Sequence, residues 1–341
     1  MWACTRLLSM AVLCGLVTPA AQADPVADFY KGKEIRLIIG QPPGGGYDTF
    51  ARLFARHLGR LMPGNPIVIP QNMPGAAGMA MTNSLVAIQP RDGTVIGAAS
   101  GQIGTAALFG APGARYDARE LGWIGSLNSE VGLVVARKDV PVKRFADLLD
   151  HELIVGASFA TDSNVIYPTT MNAVLGTKFK IVTGYPGGND INLAMENGEV
   201  GGRASAPWAT WKATRPDWVR DGKIVVIAQI GLTRAPDLPD VPLLTDLTGN
   251  DGDRAVVKLV SAPSTIGRPV FTAPGVPTPV VATLRKAFTA MVQDKTFNEE
   301  AAREKLDINP VSGEELQKIV EDLVATPKPV ADRLATIFKS Q

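Results

Sequence analysis

The 341-residue chain has two cysteines, Cys4 and Cys14, and two histidines, His57 and His151. Both cysteines precede residue 24, so the rest of the chain has no disulfide, no thiol nucleophile and no Cys-ligated metal. Neither histidine belongs to an H-E-x-x-H pattern or a metal-spaced cluster with carboxylates, so the sequence calls for no metal or cofactor. Excess charge is missing too. Basic and acidic residues number 34 and 33, and they balance once Arg6 is set aside, so neither nucleic acid nor an anionic membrane is an expected partner. After the first residues no apolar run reaches the ~18 that mark a spanning helix.

At the start, Arg6 forms a short basic region, Leu7 to Val17 an apolar one, and Ala21-Gln22-Ala23 an A-x-A cleavage site before Asp24. Residues 1–23 are expected to be a secretory signal, cleaved after Ala23 on export. A membrane anchor and a lipoprotein through Cys14 are the alternatives, the second opposed by Leu13 where a small residue is required.

Short apolar runs alternate with helical patterns. Ile35–Ile39, Ile67–Ile69, Val95–Ala99, Leu133–Ala136, Leu153–Ala157, Phe179–Val182 and Ile224–Ile230 read as strands. That rhythm predicts an α/β architecture with largely parallel sheets. Phe50, Leu53, Phe54, His57, Leu58 and Leu61 share one helix face, which makes His57 a core or boundary histidine. Arg52, Arg56 and Arg60 form the opposite stripe, either a solvated face or a docking surface. Ser312-Gly313-Glu314-Glu315 is a capping box, and Pro327 and Pro329 precede a last helix.

Three loops share one design: Pro43-Gly44-Gly45-Gly46-Tyr47-Asp48, Pro74-Gly75-Ala76-Ala77-Gly78 and Pro186-Gly187-Gly188-Asn189-Asp190. Each follows an extended segment and precedes a helix. A helix start offers unpaired N–H groups and the positive end of the macrodipole, and glycine lets a ligand approach the main chain. Such loops make a carboxylate or phosphate cradle. The phosphate motifs fail: no Lys follows these glycines as in a Walker loop, and G-x-G-x-x-G breaks at Thr49. Asp48 reads either as the helix N-cap or as a selector of a cationic ligand group. Gly156-Ala157-Ser158-Phe159-Ala160 ends in Ala where a nucleophile elbow needs Gly, and no nucleophile–base pair is evident.

At these loops the sequence resembles the periplasmic solute-binding proteins of tripartite tricarboxylate transporters, the Bug family. Pro43-Gly44-Gly45, Asp48, Ala51 and Arg52 match P-G-G-x-x-D-x-x-A-R, and Asn72, Pro74, Gly75, Ala76 and Gly78 match E-N-x-P-G-A-G-G, with Gln71 and Ala77 as departures. Pro90-Arg91-Asp92-Gly93-Thr94 resembles A-x-P-D-G-Y-T, Tyr185-Pro186-Gly187 resembles Y-K-G, and Leu238-Pro239-Asp240-Val241-Pro242 matches L-P-D-V-P.

The resemblance implies a two-lobed periplasmic-binding-protein (Venus flytrap) fold, each lobe a mainly parallel sheet flanked by helices. Lobe 1 would comprise residues 24–128 and 229–341, lobe 2 residues 129–228, with the C-terminal helices returning to lobe 1. It implies no enzymatic activity and a monomer that captures a small organic acid (a di- or tricarboxylate, an aromatic acid or an amino acid) for membrane permease subunits. A ligand sensor on the same fold and an α/β enzyme are the alternatives. Carried over, Gly45, Gly46, Tyr47, Ala76, Ala77 and Gly78 would hold the proximal carboxylate, with Asp48 beside them. Ser158, Thr161, Ser163 and Asn164 would act from the second lobe, with Tyr185 and Gly187 as weaker candidates; local turn bonding is the alternative for these polar groups. Arg203, in a segment that departs from the family's G-x-V-D, either reaches a distal carboxylate or makes an inter-element ion pair. Asp162 either pairs with a ligand amino group or caps a helix. Trp208 and Trp211 either line the cleft or pack under it.

Overall fold

The structure, a computed structural model, describes residues 25–108, 111, 113–158 and 163–339. The signal-like segment and both cysteines lie outside the described residues. Eleven strands are present among those described: β1 Glu34–Ile39, β2 Ile67–Asn72, β3 Val95–Ala98, β4 Gly122–Ser126, β5 Gly132–Arg137, β6 Leu153–Gly156, β7 Phe179–Val182, β8 Gly202–Pro207, β9 Ile224–Ile230, β10 Pro269–Thr272 and β11 Val311–Ser312. They form two sheets, ordered β11-β4-β10-β3-β1-β2 and β7-β6-β8-β5-β9.

Both sheets are mixed rather than mainly parallel. In the first, β1 runs parallel to β2 and β3, whereas β10 is antiparallel to β3 and β4, and β11 to β4. In the second, β6 runs parallel to β7 and β8, whereas β5 is antiparallel to β8 and β9. The antiparallel partners are strands by which the chain enters or leaves a sheet. It leaves the first sheet after β4, builds the second, and re-enters the first at β10.

The apolar runs explain the layers. Ile35, Leu37 and Ile39 of β1 are fully buried against Phe54 and Leu58 of the Gly46–Leu58 helix and Phe288 of the Thr278–Gln293 helix. Burying each such side chain contributes roughly 1.5–3 kcal/mol. Two arginines of the stripe, Arg56 and Arg60, meet the helix Lys295–Arg303 and its flanking residues, whereas Arg52 turns to Asp48 and Asn72. Arg56 pairs with Glu300 and Glu304 at 2.6 and 2.5 Å, and Arg60 with Asp294 at 2.5 Å. Arg56 and Arg60 thus form an interhelical ion-pair seam while all three arginines of the stripe keep about two-fifths of their side chains exposed, in keeping with a solvated face. His57 is buried at that seam, its Nε2 2.6 Å from Glu300 and its ring edge-on to Phe297.

The C-terminal helices divide. Leu284, Phe288, Phe297, Leu316 and Val320 pack on the first sheet. The last helix, Lys328–Lys339, does not return there: Leu334 joins the second sheet's core with Val134, Val155 and Tyr167. Pro327 follows the end of the preceding helix, whereas Pro329, expected before the last helix, is its second residue, where a missing N–H costs no intrahelical bond. The helix Asp251–Ile266 serves both cores. Val256, Val257, Leu259 and Val260 pack with the second sheet, and Ile266 at its end packs with Trp123 and Phe271 of the first. No helix among the described residues is long and apolar enough to cross a membrane.

Candidate functional site

A cavity of about 400 Å³ lies between the two sheets. Loops at the carboxyl ends of β1, β2 and β3 form one wall, and loops following β6, β7 and β8 face them. Ligands in open α/β sheets bind at such strand ends.

Gly46 and Tyr47 line the first wall; Gly45 and Asp48 stand behind it. The helix starts at Gly46 with Gly45 as N-cap, and no side chain caps it. The expected N-cap, Asp48, is instead the third helical residue, because the chain becomes helical three residues early. Its buried carboxylate accepts from the Gly44 N–H at 2.9 Å, Arg52 Nε at 2.9 Å and Asn72 Nδ2 at 2.8 Å. Asn72 also donates to the Gln41 carbonyl and accepts from Arg52, so this cluster ties the first glycine turn to the end of β2. Burial raises the Asp48 pKa, but the hydrogen bonds from Arg52, Asn72 and Gly44 prevail and hold it below the ordinary 3.8.

The second turn contributes Ala77 to the cavity, with Ala76 and Gly78 behind. Gly75, Ala76, Ala77 and Gly78 all have positive φ, at 152°, 45°, 56° and 99°. Left-handed backbone costs a non-glycine residue roughly 1–2 kcal/mol. Two adjacent alanines in that region mark a turn held by its surroundings: the Ser100 hydroxyl donates to the Ala77 carbonyl at 3.3 Å.

On the opposite wall, Ser158, Ser163, Asn164, Gly187 and Arg203 line the cavity. Ser163 donates to Ser205 at 3.2 Å, and Ser205 donates to Asn164 Oδ1 at 2.6 Å. Arg203 is buried on β8 and donates to Asn164, Asn192 and the Gly188 carbonyl. Thr161 and Asp162 lie outside the described residues. Tyr185 is not among the lining residues: its ring packs on Gly156 and its hydroxyl bonds Glu199, and burial and then the Glu199 charge raise its pKa. Trp211 is buried against Trp218, and Trp208 donates to Asp237, so both tryptophans pack beneath the wall.

The two walls repeat one arrangement. Gly188 begins the uncapped helix Gly188–Glu196 as Gly46 begins the helix on the first wall. A Cβ at Gly188 would lie 2.6 Å from the Arg203 guanidinium, and one at Gly46 would lie 3.1 Å from Arg268 Nη1. Each wall thus presents a bare helix start beside a buried guanidinium. Such a pairing of positive dipole end and cation favours an anion between them.

The family model described as tripartite tricarboxylate transporter family receptor, TctC, matches residues 51–335. The chain belongs to this family. Among the relatives of this TctC receptor, protein BugT of Bordetella pertussis is 42% identical over 81 residues, a match spanning 24% of either chain. The UPF0065 protein in the gbd 5′ region of Cupriavidus necator is 24% identical over 331 residues, 94% of this chain and 92% of the relative. Among solved structures, a TctC solute binding protein from Polaromonas superposes with a TM-score of 0.68 at 19% identity, covering 92% of this chain and 100% of its own. MatC of Rhodopseudomonas palustris, with bound malate, gives 0.64 at 18% identity, and another protein of that organism, with adipate, gives 0.65 at 20%; each covers 90% of this chain and at least 98% of its own. At these identities the likeness establishes the fold, two lobes of α/β structure.

In this TctC-family chain, sequence reasoning missed Arg268 and Glu130, which both line the cavity. Arg268 stands between Ile266, the buried end of a helix, and Val270 and Phe271 of a buried strand. An arginine alone in such a stretch is the signal that could have found it. Glu130 carries no comparable mark. Ser205 was equally hidden, in the short run GRASAP that does not look like a strand.

Proposed function

We propose that this chain is a periplasmic receptor that captures a small organic carboxylate by closing two lobes over it and presents it to the permease subunits of a tripartite tricarboxylate transporter. The observation that carries this reading is the doubled anion site: an uncapped, glycine-started helix and a buried arginine on each side of one cavity. The malate and adipate bound by two structural relatives support the same ligand class. The first 23 residues would be removed on export. Lobe 1, residues 24–128 and 229–341, would centre on the first sheet, and lobe 2, residues 129–228, on the second. The helices Asp251–Ile266 and Lys328–Lys339 would cross the boundary.

On the first wall the main chain at Gly46, Tyr47 and Ala77 would hold one carboxylate, with Gly45, Ala76 and Gly78 shaping the turns and Asp48 bracing them. On the second, Ser158, Ser163, Asn164, Gly187 and Arg203 would meet the rest of the ligand. Bridging waters would let one cradle accept acids of different length. The ligand would leave chemically unchanged, because the site's role is to bind and release.

A thermal-shift titration of the mature chain tests the reading, with malate, adipate, succinate, citrate, aspartate, glutamate and benzoate set against their neutral amides. An acid at a hundredfold excess over Kd adds about 2.7 kcal/mol to stability, so a saturable rise in Tm is expected with one class of acid and none with its amide. Silence toward every acid, repeated after unfolding and refolding to remove carried-over ligand, would overturn the reading.

A further inference from the structure

The geometry points to Arg268 as a ligand-binding residue that makes an ion pair with a carboxylate of the captured acid, with Glu130 as the residue that positions it. This rests on the carboxylate reading above and adds to it a side-chain contact where the glycine turns supply only main chain.

Arg268 is 6% exposed and lines the cavity. Its guanidinium lies along the first turn of the Gly46–Leu58 helix, 4.0 Å from the Phe50 ring centroid and 5.1 Å from that of Tyr47. Nε donates to Glu130 Oε1 at 2.5 Å. Nη1 is buried and has no hydrogen-bond partner among the described residues. It faces Gly46, where an added Cβ would come within 3.1 Å.

Each observation argues for an anion. A buried guanidinium N–H left without an acceptor is costly, so its place is explained when a ligand completes it. A cation beside a helix N-terminus has the wrong sign for the dipole, and an anion bound there satisfies both. Glu130, 8% exposed, takes the Nε side of the fork and holds the plane of the guanidinium. Stacking on Phe50 fixes it from the other direction. The Nη edge is then pre-oriented and loses little freedom on binding.

Calorimetric titration of parent, R268M and E130Q with adipate, malate and their monoamides tests this. In the parent, the acid that binds should outcompete its monoamide. R268M should bind that acid roughly ten- to a hundredfold more weakly, as expected for a lost charged hydrogen bond, and should no longer distinguish acid from monoamide. E130Q keeps an acceptor for Nε and removes a negative charge beside the ligand, so acid binding should tighten about two- to tenfold. Equal acid affinity in R268M and parent would overturn the assignment, as would a loss shared equally by acid and monoamide. Should R268M fail to fold, judged by circular dichroism, E130Q decides: unchanged or weaker acid binding overturns the proposal. A parent that binds none of these acids or monoamides overturns the carboxylate reading and this assignment with it.

Discussion

At the residue scale, the glycine-rich turns of the cavity hold residues in costly backbone conformations. Ala77 sits at φ 56°, so Ala77→Gly should raise stability by about 1 kcal/mol in urea unfolding. Gly46 and Gly78 separate by the same logic. Gly78 has φ 99°, and a Cβ there would lie 2.7 Å from the Ala99 Cβ, so Gly78→Ala should cost about 2–3 kcal/mol of folding stability. Gly46 has room for a Cβ except toward Arg268, so Gly46→Ala should change stability by less than about 1 kcal/mol and weaken acid binding. Equal melting temperatures for the two variants would contradict this. Asp48 sets a pH dependence. Its folded pKa lies below the ordinary 3.8, so the stability it adds is present above that value and is lost as pH falls through the folded pKa. Asp48→Asn should therefore flatten the acid limb of a stability–pH curve.

Between elements, the ion pairs joining the helices Gly46–Leu58 and Lys295–Arg303 are unequal. Arg56 and Glu304 are partly exposed, and such pairs contribute roughly 0–1 kcal/mol. Glu300 also meets the buried His57, and the bonds from His57 and Arg56 hold its pKa below the ordinary 4.5 despite some burial. Glu300→Gln should thus destabilise more than Glu304→Gln, by about 1 kcal/mol at neutral pH, and the gap should close as pH falls below that value. Strand legibility follows from composition. β1, β2, β3, β5, β6, β7 and β9 announced themselves as apolar runs. β4 and β8 (GWIGS and GRASAP) are rich in small residues, β10 (PVFT) has four residues and begins with proline, and all three are largely buried on both faces, so no alternation marks them. The same three strands supply most of the antiparallel pairing, which is why the sheets read as parallel from the sequence. The glycine turns were legible because their proline–glycine spacing is a feature of local composition. Arg268 and Glu130 were not, because their partnership joins residues far apart in the chain.

For the whole molecule, what matters is how two cores share one chain. The helix Asp251–Ile266 is anchored in the second core through Val256 to Val260 and in the first through Ile266, and Pro263 interrupts it between those anchors. Pro263 has no N–H, so the Leu259 carbonyl lacks its usual helical donor. Pro263 and Ser264 also line the cavity. A rod clamped at both ends and weakened in the middle bends at the weak point. Pro263→Ala would restore the missing amide and stiffen it, and stopped-flow kinetics should then show acid association and release both slowed, with Kd little changed. The helix that joins the two cores would therefore be the hinge, and would set how quickly the receptor loads and unloads, while the arginines and glycine turns would set how tightly it holds.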